Sequence, residues 1–385
     1  MTKQQISGQS TTSVRQGQVT ATTILHEVDA VALGNYLAQH ISGFTTPIEI
    51  RQFSLGQSNP TFLVQEAGGA RYVIRKKPPG QLLSNTAHAV EREFRVLDAL
   101  GRHTDVPVPR VFHLCEDTSV LGTPFYVMEF VKGRIFSDVR FNTLAPEERR
   151  ACWLSVVETL AKLHLADYRA IGLADYGRPS DFYARQIRSL QRVSAAQAAV
   201  VDSATGKAVG PIPRLDEMLA WFSRNAVADR TTIVHGDFKV DNVVFHPTEP
   251  RVIAILDWEL STIGHPLSDL ANLLQPYYAS IKGVPMMPAG LEGNQRPEGV
   301  PSADELIKHY CELTAQPYPI RNWMFSVAFS FFRLSVITQG IAARVAKGQA
   351  SSAQATEYAK LFRPVAQFGL RIVDAGELTD VSSKL

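Results

Sequence analysis

The chain has little cysteine, no surplus of charge of either sign, and no apolar segment placed to act as a secretory leader. Its three cysteines, Cys115, Cys152 and Cys311, lie far apart and form no CxxC pair. A set this sparse and odd argues against a disulfide framework or a structural zinc site, and points to a reducing, cytoplasmic compartment. Thirty-nine Lys+Arg against 37 Asp+Glu leave a net charge of +2, without the basic excess expected of a nucleic-acid binder. The first twenty residues hold Gln, Ser and Thr where a signal peptide would hold its apolar core. They also lack acidic residues, as transit peptides do, but the expected reading of residues 1–24 is a flexible tail. Internal repeats are absent.

What is present is an ordinary globular composition, 45% hydrophobic and 20% charged over 385 residues. At about 150 residues per domain this length suggests two or three domains or lobes. One stretch, residues 323–343, is long and apolar enough to raise the question of a membrane span. Arg333 sits at its middle, where a bilayer would charge roughly 2.5–3.5 kcal/mol for it. Gln339 and four hydroxyl residues add to the cost, so the segment is expected to be a buried helix and no span is predicted.

Periodicity divides the remainder. A helix is expected from about residue 28 to 40, then strands at 48–53, 61–65 and 72–75, the last two joined through Gly68-Gly69. A helix over 86–100 places Val90, Phe94 and Leu97 on one side. Two further strands are read at 111–114 and 125–130, and after Gly133 the character turns helical: 146–164, 180–193, 215–225 and from 303 onward. The prediction is an α+β chain: a five-stranded antiparallel sheet with a helix over residues 25–130, then a larger, mostly helical unit over 131–385.

The most informative segment is Val234-His235-Gly236-Asp237-Phe238-Lys239-Val240-Asp241-Asn242, an H-x-D-x-x-x-x-N pattern between two apolar runs. Fifteen residues beyond Asn242 another apolar run ends in Asp257-Trp258-Glu259. Phosphoryl transfer needs such a set: a carboxylate beside the acceptor hydroxyl, and oxygen ligands that hold Mg²⁺ against nucleotide phosphates. A hairpin turning at residues 246–250 would bring Asn242 and Asp257 together. Asp and Asn in turns and caps alone would explain a lone H-x-D-x-x-x-x-N. The second Asp at a strand end, with Asp269 in Gly264-His265-Pro266-Leu267-Ser268-Asp269-Leu270, favours chemistry.

With these motifs the chain, after residue 25, resembles the aminoglycoside phosphotransferase/choline kinase branch of the protein-kinase-like fold. The resemblance implies a two-lobed enzyme using ATP and Mg²⁺, with Asp237 as catalytic base, Asn242 and Asp257 as metal ligands, His235 as a structural member of the loop, and Asp269 bracing it. In the N-terminal unit, residues 54–61 stand in the place of the phosphate-covering loop, with Ser58 and Asn59 as nucleotide contacts. That loop has one glycine, Gly56, and so departs from G-x-G-x-x-G. Arg75 ends the strand that in protein kinases ends in the phosphate-binding Lys. Lys76 and Lys77 compete for that role, and strand alternation puts Arg75 and Lys77 on one face. Glu93, with Glu91 as rival, is the expected helix partner of the cation. Met128 falls in the gatekeeper place, and Glu129 and Val131 offer backbone groups to adenine.

The acceptor is expected to be a small molecule, because only twelve residues separate Asp257 from Asp269, too few for a long activation segment. Arg333, Ile337, Gly340 and Arg344 recur on one helix face, which suggests a buried anion or ion pairs there. Gly56 to Thr61, Arg75 to Gly80 and Arg333 to Gly340 resemble the kinase domain associated with acyl-CoA dehydrogenases. That resemblance implies a 4-hydroxyacyl-CoA acceptor, phosphorylated on its hydroxyl, and a separate acyl-CoA dehydrogenase-like partner. With such an acceptor the arginines would suit its anionic ester, and Tyr183, Phe329, Phe331 and Phe332 could wall its acyl chain. The other reading of these aromatics is plain core. The rival readings are an aminoglycoside, choline-like or sugar acceptor, and a nucleotide-binding pseudokinase that regulates a partner.

Overall fold

A computed structural model describes residues 21–22, 28–53, 59–78, 89–279, 290–291, 296–349 and 355–375. The chain divides into two compact units, one taking residues up to Glu91 together with Val111–Ile135, the other Arg92–Arg110 together with Phe136–Leu385.

The first unit opens with β1 (Ala21–Thr22) and α1 (Ala30–His40), followed by β2 (Ile48–Phe53), β3 (Thr61–Glu66) and β4 (Arg71–Lys76). Helix α2 (Val90–His103) begins at its edge of the chain division and continues in the second unit. Strand β5 (Val111–Cys115), the single turn α3 (Thr118–Leu121) and β6 (Phe125–Glu129) complete it. All neighbouring strands are antiparallel, in the order β1-β2-β3-β4-β6-β5. Strand β3 alternates between half-buried and buried residues, as a sheet with one covered face requires. The cover comes from α1, whose Leu33, Leu37 and Ile41 recur every four residues and pack on Phe62, Val64, Ile74, Phe125 and Val127. Asp29 starts α1 by accepting hydrogen bonds from Val31 N and Ala32 N, a cap worth about 1 kcal/mol.

Two expectations need correction here. The sheet has six strands among the described residues, not five, because Ala21 and Thr22 pair with Phe53 and Gln52. The rest of residues 1–24, read as a tail, lies outside the described residues. Two residues carry no periodicity, and the edge of β2 accepts any extended dipeptide, so this pairing has no mark in the sequence. The helix expected from residue 86 starts at Val90, and residues 81–88 lie outside the described residues.

The second unit contains α4 (Pro146–Leu165), α5 (Phe182–Ala198) and α6 (Leu215–Arg224). Next come β7 (Thr232–Val234), β8 (Val243–Phe245), β9 (Val252–Ile255) and β10 (Thr262–Gly264), and last α7 (Leu267–Leu274), α8 (Ala303–Leu313), α9 (Trp323–Ala346), α10 (Ala355–Ala359) and α11 (Phe362–Ala375). The strands form two antiparallel ribbons, β7 with β10 and β8 with β9. Helix α9 is the scaffold, packed by α5, α7, α10 and α11. It is long and apolar enough to cross a membrane, yet 78% of its most apolar window is buried inside the protein, as expected for a core helix.

A buried histidine gives this unit a pH dependence. His265, 1% exposed, donates from Nε2 to Ala228 O and accepts the Leu267 N–H at Nδ1, so protonation at Nδ1 would break a bond that starts α7. Burial pushes its pKa down to about 4. The folded state therefore resists a proton that the unfolded chain takes up near 6.5. The neutral ring's contribution, about 3 kcal/mol, is present above that pH and is lost as pH falls toward 4. In urea unfolding, stability should drop more steeply over this window in the wild type than in His265→Gln; parallel curves would refute it.

Candidate active site

The central segment runs from the end of β7 to the start of β8. Gly236 takes φ +85°, a value suited to glycine, and this turn delivers Asp237 out of the strand. A carboxylate holds the turn from below: Asp269, at the start of α7 and fully buried, accepts His235 N–H at 2.6 Å and Gly236 N–H at 2.9 Å. Burial alone would raise the pKa of Asp269, but the hydrogen bonds from the His164 side chain and the His235 backbone hold it below the ordinary carboxylate range. Asn272, one turn further along α7, donates to Phe238 O.

His235 joins the loop to the next segment. Its ring is fully buried against Trp258 and Phe238, donates from Nε2 to Leu256 O at 2.8 Å, and accepts Asp237 N–H at Nδ1. The residue after Leu256 is Asp257, which stands in the left-handed region at φ +66°, ψ +61°. From the other side, Leu256 N–H donates to Asn242 O at 2.8 Å while Val243 pairs with Ile255 across the ribbon. The hairpin thus makes Asn242 and Asp257 neighbours, as their spacing suggested.

Asn242 directs Nδ2 at Asp237, bonding its carbonyl at 2.9 Å and its Oδ2 at 3.1 Å. With Nδ2 committed to Asp237, the amide presents Oδ1 elsewhere. That oxygen and the Asp257 carboxylate are hard donors on adjacent backbone, and Mg²⁺ takes one or two such protein ligands plus phosphates and waters. The donor set fits the ion.

One cation at this site was not singled out from the sequence. Lys239 Nζ lies 3.3 Å from Asp237 Oδ2 and 3.5 Å from Asp241 Oδ2. Desolvation opposes its charge, but the two carboxylates outweigh that and hold its pKa above the ordinary ammonium value. Asp237 Oδ2 thus has both Asn242 and Lys239, while Oδ1 keeps its lone pairs for another donor. Such an arrangement can orient a hydroxyl, accept its proton and neutralise phosphate charge.

The other expected site residues are distributed as follows. In the first unit Arg75 pairs in register with Thr61 and Tyr126 on β4, and Met128 and Glu129 end β6 just before Val131. Lys77 reaches Glu91 at 3.8 Å, which engages both of those rivals with each other. Burial lowers the pKa of Lys76. Asn59 is 1% exposed; Ser58 lies outside the described residues. Glu93 is also 1% exposed and belongs to the second unit.

Three acceptor-site expectations are corrected. Tyr183 is a core residue: its hydroxyl donates to Ser326 Oγ at 3.0 Å, and its ring packs among Phe182, His265, Phe325 and Phe329. Phe329, Phe331 and Phe332 are buried with it. Arg344 is exposed and Arg333 half-buried, and among the described residues neither makes an ion pair, so the pair does not enclose a buried anion.

Residues 49–306 match the family model described as the phosphotransferase enzyme family, APH. Acyl-CoA dehydrogenase family member 11 of Homo sapiens is 42% identical over 353 residues, covering 90% of this chain and 43% of that protein. Family member 10 of Mus musculus is 39% identical over 338 residues, covering 87% of this chain and 30% of that protein. The chain thus spans less than half the length of these curated relatives. A crystal structure of a Ralstonia eutropha protein described as a candidate aminoglycoside phosphotransferase is 39% identical, with TM-score 0.78, and the match covers 91% of this chain and 100% of that one. An aminoglycoside phosphotransferase solved with streptomycin and ATP shares the fold at TM-score 0.54 and 16% identity, over 82% of this chain and 91% of that one.

Proposed function

The chain belongs to the phosphotransferase enzyme family, and on that premise we propose that it transfers the γ-phosphoryl group of ATP, with Mg²⁺, to the hydroxyl of a 4-hydroxyacyl-CoA. The observation that carries the chemistry is the bonded set Asp237–Asn242–Leu256, which puts a proton acceptor beside two hard oxygen donors. Asp237 Oδ1 accepts the hydrogen bond of the acceptor hydroxyl and takes its proton as the O–P bond forms, while ADP leaves. Asn242 fixes the carboxylate's rotation through Oδ2. Lys239, held by Asp237 and Asp241, offers positive charge to the transferring group. Asn242 Oδ1 and Asp257 would hold Mg²⁺, which when bound spreads the charge of the phosphates. In the first unit Arg75 is the proposed phosphate cation.

The acyl-CoA acceptor is supported by the relatives named as acyl-CoA dehydrogenase family members, and a dehydrogenase-like protein is the proposed partner. A cytoplasmic setting suits three cysteines that are all buried and outside any disulfide. The Ralstonia protein favours a second reading, an aminoglycoside acceptor. ADP release with Mg²⁺ and ATP should be compared for 4-hydroxyvaleryl-CoA, free 4-hydroxyvalerate, kanamycin and choline, with Asp237→Asn as control. Turnover of the CoA ester alone, lost in the control, is expected. Turnover of kanamycin or choline in its place would discard the acyl-CoA reading and keep the catalytic one.

A further inference from the structure

Behind the catalytic loop, wholly within the second unit, the protein surface holds a small cavity whose lining includes Arg230, His164, Tyr310, Gln316, Leu165 and Pro266. None of its lining residues is acidic. Arg230 is exposed at its rim and makes no ion pair among the described residues; the carboxylate next to it in sequence, Asp229, accepts Asp181 N–H. Leu165, 60% exposed, and the buried Pro266 both line the cavity.

The cavity floor is wired to the loop. Tyr310 Oη lies 2.7 Å from His164 Nδ1, and His164 Nε2 lies 3.4 Å from Asp269 Oδ2, the same oxygen that accepts His235 N–H. The His164 and Asp269 side chains are 2% and 1% exposed, so water does not substitute for any member of this chain. Taken as a neutral ring, His164 accepts the phenol proton at Nδ1 and donates from Nε2 to Asp269. Tyr310 lines the cavity and bonds the histidine ring. Burial raises its pKa, and the charge of Arg230 and a hydrogen bond with Gln316, both residues of the cavity lining, work against that rise.

We infer that this cavity is a second ligand site, for a small anion such as a carboxylate or inorganic phosphate, bound by Arg230 and the Tyr310 hydroxyl and coupled to the catalytic loop through His164 and Asp269. An anion that takes the Tyr310 O–H removes the hydrogen bond from His164 Nδ1. The ring is then free to shorten its long contact with Asp269, and Asp269 carries the backbone of His235 and Gly236, just before Asp237. His164 and Tyr310 are positioning residues in this scheme and touch no reacting atom.

The test is a titration of the full-length protein with sodium phosphate and, separately, sodium acetate. It is followed by calorimetry and by NMR of ¹³C-labelled histidine rings, with the His164 signal assigned through His164→Gln. A saturable shift of the His164 signal is expected with the preferred anion, and whichever salt acts at lower concentration identifies the ligand as phosphate or carboxylate. Arg230→Gln, an exposed substitution, should weaken that response about tenfold or more through loss of a charge-assisted contact. Asp237→Asn should leave it as in the wild type, which separates this cavity from the catalytic loop's own phosphate contacts. Tyr310→Phe should still bind the anion by calorimetry while the His164 signal stops following it. A His164 response that survives Arg230→Gln unchanged, or none up to tens of millimolar of either salt, would overturn the site. A response that persists in Tyr310→Phe would overturn the coupling.

Discussion

Asp257→Asn should lower kcat by about three orders of magnitude, the size expected if several kcal/mol of metal-borne charge stabilisation are withdrawn at 1.36 kcal/mol per factor of ten. The asparagine variant is the informative one because of where Asp257 stands. At φ +66° the backbone is in the left-handed region, which Asn and Asp enter readily and other residues enter at a cost of roughly 1–2 kcal/mol. Asp257→Ala should therefore lose the same turnover and also about 1 kcal/mol of stability. Single-turnover kinetics and chemical unfolding on both variants separate the two effects. Turnover of Asp257→Asn within tenfold of wild type would remove Asp257 from the metal site, and with it the pairing of Asn242 and Asp257 as ligands.

Asp237, Asn242 and Asp257 could be placed together from the sequence because the structure that joins them is local. One tight hairpin, β8 to β9, connects the last two, and two apolar runs around a turn at residues 246–250 are enough to predict it, though not the register shift between Val244 and Phe245. Asp269 is only one ribbon further on. The contacts that the sequence concealed have larger separations or depend on which way a helix faces. His164 meets Asp269 across 105 residues, and its only mark in the sequence is a polar residue among buried positions of α4. Helical periodicity puts Arg333, Ile337 and Arg344 on one side of α9, which is correct. It cannot say whether that side faces inward. In a helix with eighteen of 24 residues buried, the arginines occupy the side left to solvent, so an arginine pair on an apolar helix marked the outside rather than an enclosed anion. Tyr183 was misplaced for a related reason: a parallel pairing of α5 with α9, tied by Tyr183–Ser326 and Ser194–Gln339, draws its ring into the core.

Gly236→Ala should cost about 3 kcal/mol and disable the site at once, although it adds one methyl group to a residue with no chemical role. Two terms add. At φ +85° an L-residue carries roughly 1–2 kcal/mol of backbone strain. A Cβ at this position would also lie 2.4 Å from Leu260 O and 2.9 Å from Leu260 C, backbone atoms that cannot rotate away. Relieving that overlap means moving one of two segments, at roughly 1–3 kcal/mol for overpacking. Either the turn that carries Asp237 shifts off Asp269, or the short turn Trp258–Leu260 shifts and takes Asp257 with it. Both movements separate Asp237, the proposed proton acceptor, from the donors proposed to hold the metal. Gly172→Ala supplies the reference, because Gly172 has φ +81° and open space where its Cβ would go. That variant should lose only the strain, about 1 kcal/mol, and keep its turnover. The difference between the two variants in urea unfolding measures the contact between the catalytic turn and the Asp257 segment. Equal losses, or a Gly236→Ala enzyme with wild-type kcat, would mean that the two segments are free to part without consequence, and that their close approach is not what aligns Asp237 with Asp257.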